Sequence, residues 1–192
     1  MQATTNIEAN GAGTLQVGIG FSREERANIE KQSGKSQDFC NTSRKVPNVE
    51  VKEEQRGEET WCFTTTEFKN LDELRNLYGE WEGIRINRLE ISEGNFYYDV
   101  DVDTLSESSS FAALTDITWS LVLPGAPISH NANQVDGNTL TWIPTPKSGT
   151  INLHAESEVP SGFRFPSCSA GFILLFAGLL YLKQRGKSSL PD

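Results

Sequence analysis

Apolar residues in this chain alternate with polar ones far more often than they recur at helical spacing, so most of the predicted elements are strands. The clearest case lies between residues 119 and 143. Trp119, Leu121 and Leu123 share a period of two, and Pro124-Gly125 then ends the strand by removing a ladder donor and allowing a sharp turn. A polar connection follows, residues 128–134. Asp136-Gly137-Asn138 supplies turn chemistry ahead of a second strand, 139–143, which carries Leu140 and Trp142 on one face. If the two strands pair, Trp119, Leu121, Leu123, Leu140 and Trp142 meet, either as the centre of a core or as the lining of an apolar groove.

The same reading covers the rest of the chain. Residues 4–21 form two strands broken at Gly11-Ala12-Gly13, with Leu15, Val17, Ile19 and Phe21 alternating in the second. Ser22-Arg23-Glu24-Glu25 is a capping box that opens a short helix to about residue 32. Residues 33–57 are polar and irregular, with a short strand near 49–52. Residues 60–66 are rich in aromatic and β-branched side chains and form a strand. Asn70, with Glu73 three residues on, caps a second helix; Leu71, Leu74 and Leu77 are its apolar stripe and Gly79 its end.

Residues 84–91 and 95–102 read as a hairpin around Ser92-Glu93-Gly94. A break in the first strand's alternation predicts a bulge, and Phe96, Tyr98, Val100 and Val102 point one way in the second. Residues 150–155 complete the sheet. The predicted class is α+β: a mostly antiparallel sheet with two short helices, followed by a single C-terminal transmembrane helix.

That last helix rests on residues 165–182, which carry no charge and reach about 27 Å as a helix, enough to span a bilayer at the short end. Phe172, Ile173, Leu174, Leu175, Phe176, Leu179, Leu180 and Tyr181 form the anchor, with Tyr181 suited to the interface. Lys183, Arg185 and Lys187 follow directly and, by the positive-inside rule, put the C-terminus in the cytoplasm. The expected organisation is an extracytoplasmic domain at 1–159, a linker at 160–165, a transmembrane helix at 166–183 and a basic cytoplasmic tail at 184–192. Localisation is therefore the cytoplasmic membrane, single-pass. An exported domain needs an N-terminal signal, yet Met1-Gln2 leads straight into strand sequence without a lipobox cysteine. Either the native start lies further upstream or the domain faces the cytoplasm; the charge rule favours the former.

Charge narrows the partners. The chain carries a net −9, and residues 1–164 hold 14 basic against 25 acidic side chains, a net of −11. Such a surface excludes nucleic acid, which needs clustered Lys and Arg. Asp99-x-Asp101-x-Asp103 has the opening spacing of a calcium loop, but Thr104 and Ser110 stand where the glycine and the closing glutamate belong. A solvated strand face is the better reading. Gly18 and Gly20 lack the third glycine of a dinucleotide loop. His130 and His154 have no serine or cysteine partner in a recognisable motif. No catalytic residue, metal site or cofactor is predicted. Of three cysteines, Cys40 and Cys62 either bridge the loop between them or stay as two thiols.

Three stretches resemble the LppM domain of bacterial envelope lipoproteins. They are the Leu123-Pro124-Gly125 strand end with Asp136-Gly137-Asn138-Thr139-Leu140-Thr141-Trp142, the strand-to-helix junction Phe68-Lys69-Asn70-Leu71-Asp72-Glu73-Leu74, and the strand Gly94-Asn95-Phe96-Tyr97-Tyr98-Asp99-Val100. The resemblance spans roughly residues 3–158. It implies an extracytoplasmic α+β domain held at a membrane, non-catalytic, in contact with a lipid or glycolipid. A structural or protein-interaction module of the envelope is the alternative. A cavity between helices and sheet would favour the binding role, and a fully packed core with an exposed apolar patch the interaction role.

Overall fold

The computed structural model describes residues 1–33, 39–40, 49–106, 108–111, 114, 116–145 and 149–160. Met1–Pro160 forms one compact unit. The predicted anchor at 166–183 and the basic residues Lys183, Arg185 and Lys187 lie outside the described residues. Among the described residues no helix is long and apolar enough to cross a membrane.

Eleven strands and two helices follow one another among the described residues. In order they are β1 (Gln2–Ile7), β2 (Gly13–Phe21), α1 (Arg23–Ser33), β3 (Val49–Arg56), β4 (Glu59–Phe68), α2 (Leu71–Gly79), β5 (Ile84–Ser92), β6 (Asn95–Asp103), β7 (Thr118–Val122), β8 (Pro127–His130), β9 (Gln134–Asp136), β10 (Thr139–Trp142) and β11 (Thr150–Glu158). They form two sheets: seven strands in the order β3-β4-β2-β1-β7-β10-β9, and four in the order β5-β6-β11-β8. All pairs are antiparallel except β1 with β7.

This corrects the expected class. The domain is mostly β with two sheets, not an α+β domain on one sheet. Two causes account for the difference. Residues 128–134, read as a polar connection, hold most of β8 and the first residue of β9, short edge strands whose side chains are mostly exposed and so show no alternation. Residues 150–158 do not complete the first sheet; they pair with β6 and β8 in the second.

The two sheets meet over a shared core. From the large sheet come Ala3, Leu15, Trp119, Leu121, Leu140 and Trp142; from the small one Phe96, Tyr98, Val100, Val102, Leu153 and Ala155. Hydroxyl groups inside this core are linked in a chain. Thr5 Oγ1 meets the Tyr78 hydroxyl at 2.6 Å, Tyr78 meets Tyr98 at 3.2 Å, and the Trp119 indole N–H donates to Tyr98 at 3.1 Å. Every member is buried and partnered, the condition for placing hydroxyls in an apolar interior. Among the described residues Ser157 Oγ is the buried side-chain atom without a partner, at the register shift between β11 and β8.

Local chemistry explains the boundaries. Ser22 and Glu25 close a reciprocal capping box at α1: the Glu25 carboxylate accepts from the Ser22 N–H at 2.8 Å, and the Ser22 hydroxyl accepts from the Glu25 N–H at 3.3 Å. Asn70 caps α2 by accepting the Glu73 N–H at 2.9 Å. Gly79 does not end that helix in a left-handed turn; Glu80 caps it in a right-handed one, its N–H directed at the Leu77 and Tyr78 carbonyls. The β5–β6 hairpin turns on Glu93 and Gly94, both left-handed at φ 54° and 82°, the combination a two-residue type I′ turn needs. The predicted bulge falls between Ile86 and Arg88.

On the outer face of the large sheet, the rings of Phe63 and Trp61 lie directly over Gly18 and Gly20, where a Cβ would run into them. Arg56 covers both rings, 4.6 Å from the Phe63 centroid and 5.2 Å from that of Trp61.

Candidate ligand cleft

The sheets differ in width, and the difference creates a cleft. The small sheet and the core cover β1, β7 and β10. The same face of β2, β4 and β3 continues beyond them, carrying Leu15, Val17, Ile19, Thr64, Thr66 and Val49 in register. Leu77, Glu80 and Trp81 at the C-terminal end of α2, with Ser110 and Phe111, form the facing wall. Between these walls is an open space of about 640 Å³, within the range of sites that hold small ligands, and its lining is mainly apolar.

Aromatic packing fixes the wall. Trp81 touches Tyr78 at 6.0 Å between centroids, Trp119 at 5.9 Å and Phe111 at 6.1 Å, the last two at steep angles of 79° and 74°. Trp81 therefore stands on the buried core aromatics while bordering open space. Its polar neighbours in the lining are Thr64, Thr66, Ser110 and Glu80, and Met1 also lines it; Glu67 borders it from β4 but alternates to the outer face with Phe63. Among the described residues no Lys, Arg or His side chain lines it.

The five residues read from the sequence as core or groove are all in the core. Trp119, Leu121 and Leu140 are fully buried and Leu123 and Trp142 are 3% exposed; none lines the cleft. Their strands pair with Trp142 opposite Trp119 and Leu140 opposite Leu121. The cleft is built instead from residues read as ordinary strand and helix faces. Leu77 belonged to the expected stripe of α2. Trp81 and Phe111 were missed, although Trp81 continues that stripe four residues after Leu77 and three after Tyr78.

Cys40 and Cys62 are joined as a disulfide, with Cα atoms 5.2 Å apart. Nearby, Phe39 packs edge-on against Phe21 at 5.2 Å, and Arg26 lies over the Phe39 ring.

A polar cluster occupies the outer face of the small sheet. Asn152 donates to Asp99 at 2.7 Å and to Asp101 at 2.9 Å, and Arg85 donates to Asp101 through Nε at 3.1 Å. The hydrogen bond from Asn152, then that from Arg85, holds the Asp101 carboxyl below the usual carboxylate range. The fold also gives His154 a serine that no motif announced: Ser129 Oγ lies 3.3 Å from Nε2, while Asp99 is 3.8 Å from Nδ1. The order is that of a nucleophile triad, but the carboxylate lies beyond hydrogen-bond reach, and these residues stand on an exposed sheet surface rather than in the cleft. Among the described residues no group of His, Cys, Asp and Glu is placed to hold a metal ion.

No family model matches the chain, and no curated protein matches it. Among solved structures, the chain is similar to the folded domain of Mycobacterium tuberculosis LppM, determined by NMR, with 14% identity over 82% of this chain and 87% of that one and a TM-score of 0.55. The fold is LppM-like. At that identity the likeness describes the path of the backbone, which agrees with the resemblance read from residues 121–125 and 136–142. The lining of the cleft has to be argued from this chain's own residues.

Proposed function

We propose that this is a non-catalytic cell-envelope domain that holds the apolar part of a lipid or glycolipid in the cleft between the large sheet and α2. The observation that carries the reading is the cleft itself. Leu15, Val17, Ile19, Leu77, Trp81 and Phe111 leave an open space of about 640 Å³ beside a core that is otherwise filled. An LppM-like fold supports an envelope setting. The Cys40–Cys62 disulfide supports an oxidising compartment outside the cytosol. In this proposal residues 166–183 hold the domain at the cytoplasmic membrane, with Lys183, Arg185 and Lys187 on the cytoplasmic side.

Native mass spectrometry of the detergent-extracted protein tests the binding role: a co-purifying lipid is expected, and its loss is expected in Ile19→Asp. Ile19 is 40% exposed in the cleft, so the charge is tolerated by the fold while spoiling the apolar lining. Lipid retained by Ile19→Asp would move the site elsewhere. For topology, a C-terminal reporter active only in the cytoplasm should be active, and silence in membrane-inserted protein would reverse the orientation.

A protein-interaction role is the second reading, favoured by Ile128, Val135 and Ile143, which are all about half exposed along residues 128–143.

A further inference from the structure

The cleft has a closed end and, given the lipid-holding role proposed above, what closes it bears on the length of its occupant. The floor runs along β2 and β4, where Val17 lies opposite Thr64 and Ile19 opposite Cys62, all on one face of the sheet. The lining reaches Ile19 on β2 and Thr64 on β4. The next positions on that face are Phe21 and Cys62, and Thr60 follows opposite Phe21. Exposure falls over the same stretch, from 40% at Ile19 through half-buried Cys62 and Phe21 to 3% at Thr60.

Two separate parts of the chain supply the cover. Cys40 is bonded to Cys62, which places Phe39 beside β2, its ring edge-on to Phe21 at 5.2 Å between centroids. Arg26 of α1 lies over the Phe39 ring, 5.4 Å from its centroid. That guanidinium is itself held by Glu30 at 2.9 Å, Glu53 at 3.1 Å and the Thr60 hydroxyl at 2.9 Å. A loop side chain free to swing aside would set no limit on a ligand. Phe39 is pinned by a covalent bond at the next residue, by an aromatic neighbour and by an anchored cation.

From Leu15 to Ile19 the floor advances about 14 Å at about 3.4 Å per residue. An extended alkyl chain of about eleven carbons has that reach, at about 1.3 Å per methylene. We infer that the bridged pair Phe39–Cys40 is the end stop of the cleft and fixes the length of alkyl chain that the site takes, the terminal methyl group resting against Phe39. Carbons beyond that length stay outside the cleft and add nothing to binding.

Octyl, decyl, dodecyl and tetradecyl maltoside share one uncharged head and differ in chain alone. Each is titrated into the intact protein by calorimetry, below its micelle concentration. Affinity should rise about fourfold per methylene from octyl to decyl and level off at dodecyl. Phe39→Ala should carry the rise on to tetradecyl, and Phe39→Trp should end it at decyl or before. Phe39 is half-buried, so both substitutions leave the fold standing. Octyl maltoside, too short to reach the stop, should bind all three proteins alike. A levelling point that neither Phe39 variant moves, or no levelling at all, overturns the end stop and leaves the cleft as the lipid site. Binding of no maltoside, or binding indifferent to Ile19→Asp, overturns the lipid site and the end stop with it.

Discussion

The indole N–H of Trp142 donates to the side-chain oxygen of Asn131 at 2.7 Å. Trp142 belongs to the large sheet, whereas Asn131 follows β8 of the small one. The same oxygen accepts the backbone N–H of His154 at 2.9 Å, and the Asn131 amide donates to the Asn152 carbonyl at 2.9 Å. One short polar side chain thus ties the two sheets at the point where the chain crosses between them. Asn131→Ala leaves a buried indole donor and a strand amide without that acceptor, so it should cost about 1–3 kcal/mol. Urea denaturation measures this; a midpoint equal to that of the unmodified protein would show that the tie contributes nothing.

Trp142→Ala should cost more, about 3–5 kcal/mol, because it opens a void between the sheets beside Tyr98, whose ring lies 6.3 Å away. Ile19→Asp should do the reverse, leaving the thermal midpoint nearly unchanged and weakening lipid binding. The pair of variants separates core from cleft. A Trp142→Ala protein that melts normally but has lost its lipid would exchange the two assignments.

Breaking the Cys40–Cys62 bridge, which spans a sequence separation of 22, should lower stability by about 3 kcal/mol in the loop-entropy model. Cys62→Ser and mild reduction of the unmodified protein should give similar losses. Mass mapping after alkylation without reductant should show the pair linked; recovery of both thiols alkylated in correctly located protein would contradict the bridge.

The buried tyrosines set an alkaline limit. Burial pushes the Tyr78 phenol up to about 12, and burial, then the neighbouring Tyr78, raises Tyr98 well above its ordinary value. Both are neutral when folded. Because both folded values lie above the unfolded value of about 10, their contribution is fully present below about pH 10 and falls as pH rises beyond it, that of Tyr78 being lost towards about 12. For Tyr78 alone the loss is about 3 kcal/mol. Circular dichroism and tyrosinate absorbance should change together in that window. Tyr78→Phe should flatten the pH dependence, and an equally steep loss in that variant would exclude Tyr78 as its source.

The sequence revealed local structure better than it revealed partners. Ser22 with Glu25, Asn70 with Glu73, and the Ser92–Gly94 turn are decided by neighbours a few residues apart, so their chemistry is written contiguously. The distribution of strands between two sheets is not. Leu153 alternates in the same way whether β11 joins β7 or β6, and only the pairing of Leu153 with buried Val100 and of Ala155 with buried Tyr98 settles the matter. The small edge strands β8 and β9 had no period to read. The cleft was hidden for a related reason. Val17 and Ile19 alternate with the core residue Leu15, and nothing in their spacing reports that the opposing sheet stops short of them. Ser129 and His154, 25 residues apart, meet only because β8 lies beside β11.

The two rings lying on bare backbone at Gly18 and Gly20 bind four positions into a single unit of inheritance. A lineage cannot place a side chain at position 18 while Phe63 keeps its place, nor at position 20 beneath Trp61. It also cannot shrink either ring without exposing a strip of unprotected strand. Relatives of this chain should therefore show 18 with 63, and 20 with 61, changing in concert, glycine matched to ring and side chain matched to a smaller neighbour. The charge at position 56 should follow the rings it covers.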